Sequence, residues 1–129
     1  MTRIFFLLIF ALALARPCFA LGWKQLHEEA DQTDVAAALA AVEGQPDAVE
    51  NLYKLGLVYL NLHKDAEAGE VFEKIRTLEP DSVLGKWGSA EVLRRMHEPG
   101  KIEALIREIL ETRPDFSPAI ITLAYIRYI

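Results

Sequence analysis

The stretch VENLYKLGLVYLNLHKDAEAGEVFEKIRTLEP, residues 49–80, carries two apolar stripes separated by a polar turn. Leu52, Leu55, Gly56 and Tyr59 recur three and four residues apart, the spacing that places side chains on one face of a helix. His63-Lys64-Asp65 supplies the turn, and Ala68, Val71, Phe72, Ile75 and Leu78 then share one face of a second helix, which Pro80 closes. A helix pair of this size cannot bury its own apolar faces, so it needs neighbours of the same kind.

The rest of the chain supplies them. Pro46-Asp47, Pro80-Asp81 and Pro114-Asp115 stand 34 residues apart, and residues 83–116 repeat the pattern with changes. Ala90 stands where Gly56 did, Leu93 for Tyr59, Ile102 for Ala68, Ile106 and Ile109 for Phe72 and Ile75, and Pro114 for Pro80. Glu98-Pro99-Gly100 reads as the break between the two helices of this unit. Upstream, Trp23 to Ala30 reads as a short helix, and Asp34 caps a second, Val35 to Val42, that Gly44 stops. Residues 21–48 thus read as a degenerate half repeat whose first helix is mostly missing. Downstream, Ser117 as cap and Pro118 in the first turn open one more helix, 117–129, in which Ile120, Leu123 and Ala124 continue the first-helix pattern.

The period and the letters at Leu52, Leu55, Gly56, Tyr59, Ala68, Phe72, Ile75 and Pro80 resemble those of the tetratricopeptide repeat family. The resemblance implies an all-α fold, a short α-solenoid of antiparallel helix pairs wound into a right-handed superhelix. It gives packing roles to the eight residues just named and to Ala90 and Pro114, and it implies a scaffold that holds another protein or peptide. In such a solenoid the first helices line a concave face. The inward positions left over by the packing signature are Tyr53, Leu57, Leu60 and Asn61, then Trp87, Glu91, Arg94 and Arg95, then Ile121, Tyr125 and Tyr128. The expected groove is aromatic and aliphatic with one basic edge. Some family members grip a terminal carboxylate with polar residues at such positions; here Tyr53, Leu57 and Trp87 stand instead, so an apolar or amphipathic partner segment is expected.

Residues 1–20 have the layout of a secretory signal peptide: Arg3, an apolar run from Ile4 to Ala15, and a small-residue exit at Cys18-Phe19-Ala20. The apolar run is too short to span a bilayer as a helix. The expected location is therefore the periplasm, with an uncleaved membrane anchor as the alternative. Cys18 is the only cysteine, so removal of this segment leaves a chain with no disulfide or thiol chemistry. Removal also takes Arg3 and Arg16, reducing 14 basic residues to 12 against 19 acidic ones, a balance that disfavours nucleic acid as partner.

Catalytic signatures are missing. His27, His63 and His97 lie in different units with no carboxylate or cysteine at ligand spacing, and neither a phosphate-binding glycine loop nor a nucleophile elbow occurs. No enzymatic activity, cofactor, metal or small-molecule substrate is expected. The last helix, ending Leu123-Ala-Tyr-Ile-Arg-Tyr-Ile129, is apolar on nearly all sides and asks for cover. Three sources are open: a client protein, a second copy in a self-associating subunit, or further repeats of a longer protein.

Overall fold

The computed structural model describes residues 19–128, which are all-helical: α1 Phe19–Gln32, α2 Val35–Gly44, α3 Val49–Asn61, α4 Asp65–Leu78, α5 Val83–Arg95, α6 Pro99–Thr112 and α7 Ser117–Tyr128. The expected signal peptide lies outside the described residues except for Phe19 and Ala20, which open α1. Among the described residues no helix is long and apolar enough to cross a membrane.

Local signals set most of the helix ends. Asp34 caps α2, its Oδ1 accepting from the Ala37 N–H at 2.7 Å. The α3–α4 and α5–α6 turns are built alike. His63 and His97 adopt left-handed backbone, φ 58° and 57°, and the next residue donates back to the helix, Lys64 N–H to the Tyr59 carbonyl at 2.8 Å and Glu98 N–H to the Leu93 carbonyl at 3.2 Å. The turn therefore runs Met96-His97-Glu98, and the expected break at Glu98-Pro99-Gly100 falls differently. Pro99 begins α6, where its missing N–H costs nothing, and Gly100 lies inside the helix. At α7 the cap position also shifts. Ser117 is the first helical residue, and the Phe116 carbonyl accepts from Ala119 N–H at 3.1 Å.

Consecutive helices pack from α2 onward, each against the next, and α3 also meets α5. α1 is the exception: it is a full 14-residue helix that lies on α3, not on α2. The first helix expected to be mostly missing is thus present, extended beyond Trp23–Ala30 at both ends.

The core centres on α4 between α3 and α5. Leu52, Leu55, Gly56, Ala68, Phe72, Ile75 and Ala90 are buried, Tyr59 is half-buried, and Pro80 and Pro114 sit exposed between helices. Phe72 has no exposed surface, and its ring lies against the bare backbone of two glycines. A methyl added at Gly56 on α3 or Gly88 on α5 would fall within 2.5 Å of ring carbons. Gly85 performs the same service one turn earlier, facing Ile75 and Arg76. These glycines are used for close approach, which lets three helices share one aromatic ring. α5 is the most enclosed helix, buried continuously from Val83 to Ala90. Even Lys86 is taken in, its Nζ 3.7 Å from Glu108 on α6.

Candidate functional site

One aromatic cluster draws on four parts of the chain. Trp23 and His27, four apart on α1, face the same way and their rings meet at a tilt of 47° with centroids 4.5 Å apart. His27 Nε2 and the Tyr53 hydroxyl on α3 share a hydrogen bond of 2.9 Å. Trp23 meets Trp87 of α5 edge-on at 6.5 Å and Phe116, before α7, at 5.9 Å; Trp87 and Phe116 meet at 5.4 Å. Edge-to-face pairs of this kind add about 0.5–1.5 kcal/mol each beyond the area they bury.

Burial governs the titration of the two polar members. It is the leading cause that pushes the Tyr53 phenol far above its ordinary 10, with Trp23 opposing and Glu91 adding to the rise. It likewise holds His27 below its ordinary 6.5, against the opposing pull of Glu91 and Asp31. The pair is thus neutral at physiological pH, which suits a hydrogen bond in a dry place.

The structure changes the reading of the expected groove. Tyr53, Leu57 and Leu60 are buried and form no open surface, and Trp87 is buried apart from a small area at the edge of a cleft. α1 lies over α3, Tyr53 is bonded to His27, and Trp23 stands against Trp87. The expected basic edge is neutralised as well. Arg94 is paired with Glu91 on its own helix at 2.9 Å, and Arg95 reaches back to Asp65 at 3.2 Å. Asn61 remains exposed and donates to Asp31 of α1 at 3.0 Å.

The open part lies at α7. Ile121, Tyr125 and Tyr128 are 68 %, 68 % and 91 % exposed. Beside them a cleft of about 560 Å³ runs between α1, α5 and α7, walled by Trp23, Trp87, Phe116, Pro118 and Ile121, with Lys24 and Asp115 at its mouth. A second cleft, about 510 Å³, flanks Tyr125 and Ile126 on the side of Arg94, His97 and Ile102. Within the first cleft's wall, Trp87 Nε1 is buried and has no hydrogen-bond partner among the described residues. Trp23, His27 and Phe116 were not among the expected groove residues. The signal for the first two was available in the four-residue spacing of two ring side chains on a helix that otherwise reads as polar.

No protein-family model matches the chain, and no curated protein matches its sequence.

Proposed function

We propose that this protein is a non-enzymatic interaction module of tetratricopeptide-like architecture, a short right-handed solenoid of antiparallel helix pairs, exported to the cell envelope. Support for the repeat comes from the two left-handed histidine turns, 34 residues apart and closed by the same hydrogen bond, and from helices that pack on their sequence neighbours. The binding role rests on one observation above others. The cleft of about 560 Å³ has three aromatic walls, Trp23, Trp87 and Phe116, and the exposed Ile121 is part of its lining. Concave apolar surface with aromatic anchors is the form that takes a short apolar or amphipathic polypeptide segment.

A second reading is favoured by α7 itself. With Ile120 47 % exposed beside Ile121, Tyr125 and Tyr128, the helix presents an apolar strip that a second copy could cover.

An Ile121→Glu, Tyr125→Ser variant separates the readings, because both side chains are exposed and the fold should survive. Affinity capture from envelope extract and light scattering are run on both forms, with circular dichroism as the check on folding. Loss of one specific heterologous protein in the variant is the expected result. An unchanged set of captured proteins refutes the cleft as a partner site, and a wild-type dimer that becomes a monomeric variant favours self-association.

A further inference from the structure

α1 is held by less burial than the helices it lies on, although α2 and α7 bury a single residue each. Of its described side chains only Leu26 and Ala30 are buried, against seven residues in α3 and nine in α5. Its other ties to α3 are polar: His27 with Tyr53 at 2.9 Å, Glu29 with Lys54 at 3.0 Å and Asp31 with Asn61 at 3.0 Å. It gains nothing comparable from α2, from which Thr33 and Asp34 separate it. Elements with few buried apolar side chains open at lower free energy than the core they rest on.

What α1 rests on has the character of a binding groove. Tyr53, Leu57 and Leu60 lie on one face of α3, one turn apart, and Trp87 continues the apolar surface on α5. Trp23 is a wall of the open cleft as well as part of α1's own seat. Removal of α1 would therefore merge the cleft and the seat into one groove, lined in large part by the residues that sequence reasoning placed there.

Building on the interaction-module reading, we propose that α1 is an in-chain occupant of the partner groove, and that the partner is an amphipathic helix of matching chemistry that displaces it. The seat defines that chemistry. It takes a large aromatic residue (Trp23), an aliphatic residue three positions on (Leu26), a hydrogen-bonding ring next to that (His27) and a small residue at Ala30. It also takes acidic groups where Glu29 and Asp31 meet Lys54 and Asn61. Charge complementarity between an acidic helix and Lys54 sets its register, while the tryptophan supplies the anchor. Affinity measured from outside is reduced by the fraction of time α1 occupies the seat.

The test uses the full chain and a fluorescein-labelled peptide of residues 21–34 as the probe. Native-state hydrogen exchange should show α1 amides exchanging about tenfold or more faster than those of α3 and α5. The peptide should bind a Trp23→Ala chain about tenfold more tightly than the wild type, because the resident competitor is weakened. Binding should further loosen α1, and the peptide's own Trp23→Ala form should lose it. The proposal is overturned if α1 exchanges only as fast as α3 and α5. It is also overturned if the peptide fails to bind a Trp23→Ala chain that circular dichroism shows to be helical, or binds without changing α1 protection. A dimer trading α1 between two copies would replace the partner by a second copy and overturn it too. A firmly held α1 would leave the open cleft beside α7 untouched, so this failure is distinguishable from failure of the interaction-module reading.

Discussion

Replacing Gly88 by alanine adds one methyl group to a helix interior, and intrinsic propensity alone would make that stabilising by about 0.5–1 kcal/mol. The structure reverses the sign. The new Cβ would lie within 2.5 Å of three carbons of the Phe72 ring, and that ring is fully buried, with Gly56 pressed against it from α3 in the same way. A ring so enclosed cannot step aside, so backbone or rotamer must shift, at about 1–3 kcal/mol for overpacking of this kind. The net expectation is a loss of about 1–2 kcal/mol. Gly69 on α4 is the matched control. A methyl there meets only Val92 Cγ1, at 3.8 Å, so Gly69→Ala should stabilise by about 0.5–1 kcal/mol. Urea denaturation followed by circular dichroism compares the two, with an unchanged m-value confirming that stability alone has moved. Pairing Gly88→Ala with Phe72→Leu in a double-mutant cycle should give a coupling energy of about 0.5–3 kcal/mol. A Gly88→Ala protein as stable as Gly69→Ala would refute the close approach, and with it the account of how α3, α4 and α5 are joined.

Two further outcomes follow from local geometry. His63→Gly and His97→Gly should each raise stability by about 0.5–1 kcal/mol, since both residues hold left-handed backbone that favours glycine; thermal unfolding measures this. Stability should also fall as pH drops below 6.5. There the unfolded chain protonates His27 while the folded one, with His27 held lower by burial, resists, and the loss ends once pH passes below the folded value. His27→Gln should remove this step. It should leave a separate one at lower pH, where Glu29, held below its ordinary 4.5 by the Lys54 hydrogen bond, becomes protonated.

The helices were legible because their stripes and punctuation agree. Pro46, Pro80 and Pro114 all fall between helices, and Asp34 caps as its position suggests. Two things were not legible. Gly85 and Gly88 look like weak points in α5 when read by propensity, yet they are where α5 meets α4, a fact fixed only by the partner helix. The groove positions were assigned from the geometry of open repeats, and what changed them was α1. A helix with Glu28, Glu29, Asp31 and few apolar residues does not advertise that it will lie across an apolar face. Its ring pair at Trp23 and His27 was the available sign. The α7 residues Ile121, Tyr125 and Tyr128 are exposed because nothing in the described chain packs on that side.

The chain has two tryptophans, and the fold brings them within 6.5 Å of each other at the one place where binding and helix release are proposed to meet. Its intrinsic fluorescence is therefore a local gauge. Any occupant entering between Trp87 and Phe116, and any departure of Trp23 into water, changes the environment of an indole, and excitation beyond the tyrosine absorption band keeps the four tyrosines out of the signal. The unlabelled protein thus reports on its own groove, and stopped-flow mixing can ask whether the helix leaves before a ligand arrives or is pushed out by it.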